Sequence, residues 1–176
     1  MKNALRRSIQ SLIGLSILAA PLAATTVVKM DLPRLVSTAD HIVQGRVESV
    51  ETRGEQNKIY TYVSVVIDES IKGNGRRAVV IKQLGGTFGN TIYSIAGMPH
   101  FRKGDQVILF LKVRKDTAFD VVGMNQGKYE IKNDIAVTNV HGITLIDPGT
   151  GVTSDAGFVD RVPVETLKKR IRELMR

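Results

Sequence analysis

The chain has 176 residues, of which 25 are Lys or Arg and 17 are Asp or Glu, and its formal net charge at pH 7 is +8. This basic excess favours anionic partners, although a mildly cationic surface can also serve solubility alone. The chain has no cysteine, which excludes disulfide, thiol and cysteine-zinc chemistry. A hydrophobic core must therefore hold the fold together.

The first 24 residues are typical of a secretory signal. Lys2, Arg6 and Arg7 form a basic start, residues 8–20 are almost all apolar or small, and residues 21–24 offer a small-residue exit. The apolar run is about a dozen residues, shorter than the roughly 18 to 20 that span a bilayer, which favours a cleaved signal over an anchor. We expect residues 1–24 to be a signal peptide and the protein to be periplasmic or secreted. Residues 25–176 then form a single domain.

The chain after the signal begins with a short helix and continues in strands. Asp31 as a cap and Pro33 in the first turn predict a helix that ends near Ala39. Residues 41–51 alternate loosely in polarity, and Gly45 among them predicts a bulge or a bend. Alternation then predicts a strand at 59–72, and further strands are predicted at 78–83, 106–113, 119–124, 128–132 and 135–137.

Two of these strand signals are specific. Residues 106–113 (QVILFLKV) are apolar on both alternating sets of positions, which predicts a strand buried on both faces. Residues 128–132 and 135–137 are separated only by Asn133 and Asp134, a spacing typical of a tight hairpin.

The end of the chain predicts a loose segment followed by a helix. Residues 147–157 are rich in turn-forming residues. An amphipathic helix is expected over 163–176, with Pro163 in its first turn and a basic face opposite the apolar stripe. Any membrane contact would be peripheral, through Lys168, Lys169, Arg170 and Arg172 on that basic face. Such a helix more often packs its stripe on the domain and leaves the cations in water.

The element order predicts a mainly β fold. Consecutive short strands without helices between them favour antiparallel pairing, and a small closed barrel hides strand edges. We therefore expect a small antiparallel OB-like β-barrel of about six strands with a short N-terminal helix and a C-terminal amphipathic helix.

Three stretches resemble the netrin-like pattern of tissue inhibitors of metalloproteinases. They are residues 39–47, the strand end 71–73, and residues 101–105 (FRKGD) opening 107–111 (VILFL). The resemblance covers roughly residues 35–113 and implies an OB-type barrel flanked by helices. Those inhibitors chelate the protease zinc through a terminal cysteine, which this chain lacks. The chain also resembles exported bacterial proteins with the same run of strands.

The usual signatures of catalysis and cofactors do not occur in the sequence. His41, His100 and His141 are too far apart for a compact zinc motif and are interpreted as surface residues. No serine lies in a recognisable nucleophile elbow. Residues 84–90 are glycine-rich but lack the lysine and hydroxyl of a P-loop. With no tryptophan and few other aromatics, the chain is poorly equipped to stack on nucleic acid. We predict no catalytic residue, no metal, no cofactor and no nucleic-acid partner.

The candidate binding residues lie in the most unusual stretch, residues 84–101. They are Gly85, Gly86, Phe88, Tyr93, Met98 and Phe101. Long loops on a rigid scaffold often carry recognition, so this segment is a candidate partner-binding rim. The alternative is that it covers one end of the barrel or forms an extra strand. The predicted function is an exported, non-enzymatic module that binds another macromolecule, with an exported protein as the favoured partner. The alternatives are an envelope hydrolase whose site forms only in three dimensions, and a peripheral surface protein held by its basic helix.

Overall fold

The computed structural model describes residues 26–176, and the expected signal peptide, residues 1–24, lies outside the described residues. The described range contains eleven β-strands, two α-helices and a 3₁₀-helix. The elements in chain order are β1 (Thr26–Val28), α1 (Leu32–Thr38), β2 (His41–Glu55), β3 (Lys58–Lys72), β4 (Ala78–Leu84), β5 (Gly86–Phe88), β6 (Thr91–Tyr93), β7 (Gln106–Val113), β8 (Phe119–Val121), the 3₁₀-helix (Met124–Gly127), β9 (Lys128–Lys132), β10 (Ile135–Ile146), β11 (Thr153–Pro163) and α2 (Val164–Leu174).

Nine of the strands form one sheet, and β5 and β6 form a separate hairpin. The path through the sheet is β1-β10-β9-β7-β2-β3-β4-β8, and β11 pairs with the other side of β10. Because β8 pairs with β7 as well as with β4, strands β7, β2, β3, β4 and β8 follow one another in a ring of pairings. The mainly β class is confirmed. The expectation of wholly antiparallel pairing is wrong, because β1–β10 and β4–β8 are parallel.

The start of the domain follows the sequence signals closely. The Asp31 carboxylate caps α1 by accepting a hydrogen bond from the Arg34 backbone N–H at 2.9 Å. The predicted bulge in β2 is confirmed by a register shift between Gln44 and Gly45. A Cβ at Gly45 would lie 2.3 Å from the Val66 carbonyl oxygen, so only glycine permits β2 and β3 to approach this closely.

The predicted hairpin is confirmed as β9 and β10. Lys132 and Ile135 are paired across the turn, and Asn133 and Asp134 have φ values of 49° and 60°. Two successive positive φ values define the turn type whose twist matches the twist of paired strands, and Asn and Asp tolerate positive φ.

The predicted strand 119–124 is too long. Strand β8 ends at Val121, and Gly123, at φ 65°, turns the chain into the 3₁₀-helix. Within that helix the buried Gln126 side chain accepts from the Met30 N–H at 2.8 Å and donates to the Val28 carbonyl at 3.1 Å. These long-range hydrogen bonds explain the local turn, because they hold the chain beside β1.

The interpretation of 147–157 as loose is wrong from Thr153 onward. Residues 153–163 form β11, which pairs antiparallel with β10 over nearly its whole length. Pairing partners far away in the sequence stabilise this strand in spite of its turn-rich composition. The final helix begins at Val164, with Pro163 as its N-cap and not inside its first turn.

The core consists of two main clusters that share β7. Residues 107–111 are fully buried, which confirms the prediction of a strand buried on both faces. Ile108 and Phe110 pack with the two helices, whereas Leu109 packs on the opposite side with β2, β3 and β4. The apolar stripe of α2 packs into the first cluster through Leu167 and Ile171, among others.

Candidate functional site

A cleft of about 250 Å³ lies where residues 84–101 fold over the ends of β2, β3 and β4. We call it the apolar cleft. Five of the six predicted binding residues line it, namely Gly85, Gly86, Tyr93, Met98 and Phe101. The sixth, Phe88, lies outside the lining and packs its ring over Gly54. The structure thus brings together residues that the sequence could only group by proximity along the chain.

Two glycines allow the chain to close over the sheet at the cleft. Gly85 and Gly86 have φ values of 104° and 132°. The Thr61 hydroxyl donates to the Gly85 carbonyl at 2.7 Å, and a Cβ at Gly86 would lie 2.4 Å from that same hydroxyl oxygen. A side chain at Gly86 would therefore push the β5–β6 hairpin off the sheet.

The β5–β6 hairpin exposes large apolar side chains beside the cleft. Ile92 is 75%, Phe88 52% and Tyr93 44% exposed. Phe101, at the other end of the segment, is only 9% exposed and belongs to the core. Phe101 and the strands β5 and β6 thus agree with the alternative of a core cover and extra strands, and the partner-binding rim stays a prediction.

A polar atom at the cleft is left without a partner. The Gln83 side chain donates to the Pro99 carbonyl at 3.0 Å, but its Oε1 is buried and accepts no hydrogen bond from the described residues. Unsatisfied buried acceptors are rare in folded proteins, and they call for an explanation where they occur.

A charged cluster on the outer face of β3 and β4 is satisfied internally. Lys82 forms an ion pair with Glu55 at 2.9 Å, and Tyr62 also donates to the Glu55 carboxylate. The hydrogen bond from Lys82, followed by that from Tyr62, lowers the pKa of Glu55. Because Glu55 is the last residue of β2, the cluster links β2 with β3 and β4.

The histidines are divided between the interior and the surface. His41 is buried, with its ring edge-on to Phe119 at 5.4 Å between centroids, so its interpretation as a surface residue is wrong. His100 and His141 are exposed. Over residues 26–176 the structure has no group of three or more His, Cys, Asp or Glu side chains that could hold a metal ion.

Part of the basic face of α2 forms ion pairs with the rest of the domain. The Lys168 ammonium lies 2.8 Å from a Glu69 carboxylate oxygen and 2.9 Å from Glu165, and Arg172 also pairs with Glu69. Lys169 and Arg170 are exposed. No helix within the described range is long and apolar enough to cross a membrane.

A larger depression of about 820 Å³, which was not predicted from the sequence, lies on the face of β9, β10 and β11. We call it the basic groove, and Met98 and His100 form the wall between it and the apolar cleft. Lys128, Glu130 and Lys132 lie on its floor. The sequence carries a signal for this face of β9. Lys128, Glu130 and Lys132 alternate with Tyr129 and Ile131, which places three charges on one face of a strand whose other face is buried.

Comparison with known proteins finds no protein-family model that matches the chain and no similar curated protein.

Proposed function

We propose that the protein is an exported recognition module that binds another protein through the apolar cleft and the β5–β6 hairpin. The observation that carries this proposal is the exposure of Phe88, Ile92 and Tyr93 on a short hairpin beside a concave, largely apolar cleft. Exposed apolar patches next to a concavity mark interaction sites in proteins that are otherwise well packed.

The size of the cleft favours a protein partner over a free small molecule. Pockets for drug-sized ligands enclose about 300 to 1,000 Å³, and this cleft is smaller. It suits an anchor side chain presented by a partner, with the hairpin supplying the surrounding apolar contact.

We further propose that the domain is an OB-like barrel. The support is the ring of pairings through β7, β2, β3, β4 and β8, which a single parallel bridge between Ile81 and Phe119 completes. In this arrangement the apolar cleft lies at one end of a rigid body, where long loops commonly carry recognition.

The test is site-specific photo-crosslinking in intact cells that make the protein. A benzophenone amino acid at Ile92 should give a discrete adduct, and Tyr93→Ala in the same chain should reduce that adduct at least about fivefold, as expected for an interface anchor. The matched control places the photo-probe at Val152, which is also an exposed apolar residue but lies far from the hairpin in sequence. Equal adducts at the two positions, or none at Ile92, would contradict the proposal.

Stability measurements separate binding from folding at this site. Tyr93→Ala should change the free energy of unfolding by no more than about 0.5 kcal/mol, as surface substitutions usually do. Phe101→Ala removes a buried ring and should cost about 3 to 5 kcal/mol. If Tyr93→Ala destabilises the domain as much as Phe101→Ala does, the hairpin is a cover and not a recognition surface.

A further inference from the structure

The basic groove is built from three strands that each contribute side chains to one face. Residues in register across the sheet are Glu130, Val137 and Arg161 in one row, and Asn139 and Val159 in another. The opposite faces of the same strands are buried, with Tyr129, Ala136 and Val162 in the core. The floor of the groove is therefore held rigidly by core packing and does not depend on loop conformation.

Lys128 is an unusual residue for such a floor, because it is only 8% exposed. Its ammonium donates to the His100 carbonyl, lies 4.8 Å from the centre of the Phe101 ring, and is 3.9 Å from the nearest Asp105 carboxylate oxygen. That last distance is too long for a direct hydrogen bond. Burial lowers the pKa of Lys128. A buried ammonium without a carboxylate in hydrogen-bond contact is costly unless another anion approaches it.

The remaining charges of the groove leave it positive. Glu130 and Lys132 form an ion pair at 2.9 Å and so compensate each other. Arg102 and Arg161 also line the groove, and neither guanidinium forms an ion pair with a residue in the described part of the chain. Two arginines with free donors beside a poorly compensated lysine form a site complementary to carboxylates, which arginine binds in a two-pronged geometry.

The same floor also has an apolar strip. Ile135, Val137 and Val159 lie between the cationic residues, and Met98 forms part of the wall. A small inorganic anion or a sulfated sugar would leave this strip uncovered. An extended peptide fits both features, because its side chains at every second position face the floor, where carboxylate and apolar groups can follow one another.

We propose that the basic groove binds an acidic peptide segment, whose carboxylates pair with Arg102, Lys128 and Arg161 while its apolar side chains contact Val137 and Val159. This site shares the wall of Met98 and His100 with the apolar cleft, but Arg102, Lys128 and Arg161 line only the groove, and the proposal holds whether or not the cleft binds a partner.

The test is fluorescence anisotropy of the full domain with a labelled peptide of repeated Glu-Ser-Val-Ser, which in extended form presents Glu and Val on the same side. The peptide in which every Glu is replaced by Gln should bind at least about tenfold more weakly, since each charge-assisted hydrogen bond contributes about a factor of ten. Raising the salt concentration should weaken binding of the acidic peptide. Heparin serves as the competing polyanion of a different class.

Variants of the two exposed arginines test the position of the site. Arg102→Gln and Arg161→Gln should each weaken binding of the acidic peptide at least about fivefold. Lys115→Gln removes the same charge from an exposed residue outside the groove and should leave binding unchanged, as should Tyr93→Ala in the apolar cleft. Because both arginines are exposed, their variants should keep the parent's melting temperature. At the buried position, Lys128→Met should also weaken binding of the acidic peptide, provided that the variant folds.

Amide chemical shifts give an independent readout. Saturation with the acidic peptide should perturb amides of β9, β10, β11 and residues 97–105 more than those elsewhere. The proposal would be overturned by absence of peptide binding or by an equal loss of binding on Lys115→Gln. It would also be overturned if heparin still bound both arginine variants and displaced the peptide from them, because the peptide would then be bound outside the groove. Shift changes centred on the β5–β6 hairpin would overturn it as well.

Discussion

His41 illustrates how a single polar residue is built into the interior of this protein. Its ring packs edge-on against Phe119, and a Cβ at Gly73 would lie 2.2 Å from His41 Nδ1. Gly73 has φ 106°, so this turn depends on glycine both for its backbone conformation and for the space the ring needs. The neighbouring Lys72 donates to the carbonyls of Val36 and Ala39 at 2.7 and 2.6 Å, which joins the end of β3 to the end of α1.

The burial of His41 predicts a pH dependence of stability. Burial, with the nearby positive charge of Arg76 as a second cause, lowers the pKa of His41 in the folded state. The unfolded chain therefore binds a proton near pH 6.5 that the folded chain resists, so this contribution is full above about pH 6.5 and is lost as the pH falls below it. In urea unfolding, the parent should lose more stability between about pH 7 and 5 than His41→Gln does. The exposed His100→Gln should follow the parent, and parallel curves for all three proteins would contradict the assignment.

At the scale of elements, β7 is the strand on which both core clusters depend. Leu109 is fully buried between β2, β3 and β4, whereas Val113 at the end of the same strand is exposed. Strand β7 also pairs with β2, β8 and β9, which makes it the junction between the ring of pairings and the sheet below the basic groove. Loss of packing on β7 should therefore lower the stability of the whole domain.

Leu109→Ala should lower the free energy of unfolding by about 2 to 5 kcal/mol, because it empties a buried leucine site. Val113→Ala, a truncation on the same strand, should cost no more than about 0.5 kcal/mol, because Val113 is already 44% exposed. Denaturant midpoints for the two variants measure the difference. Equal midpoints would show that β7 is not central to the core.

At the scale of the whole molecule, the expected signal peptide ends close to the first strand. A cut after Ala24 would leave β1 intact, and β1 pairs in parallel with residues 144–146 of β10. Gln126 adds hydrogen bonds to Val28 and Met30, so the new N-terminus would be anchored to the sheet. Export and processing are thus compatible with the fold as described.

We expect protein recovered from the envelope or the medium to begin near Thr25. Intact-mass spectrometry of the purified product measures the start directly. Replacing Leu15 and Leu18 with Arg should block processing and leave full-length chain in the cell, because a signal requires an uninterrupted apolar run. Full-length chain beginning at Met1 in the exported fraction would contradict the signal assignment.

Local sequence determined those elements whose signals lie within a few residues. The Asp31 cap, the bulge at Gly45, the turn at Asn133 and Asp134 and the doubly buried β7 all follow from side-chain chemistry or periodicity over short distances. The grouping of the candidate residues between Gly85 and Phe101 was also available, since they are neighbours along the chain.

Tertiary structure alone decided the features that depend on distant partners. Residues 153–157 form a strand because β10 provides hydrogen-bonding partners, and Gln126 bends the chain because β1 lies beside it. The basic groove required three strands to align Lys128, Val137 and Arg161 on one face, and no local pattern records that register. Burial of His41 and Phe101 likewise depends on what packs against them, because hydrophobic and desolvation energies are set by neighbours in space and not in sequence.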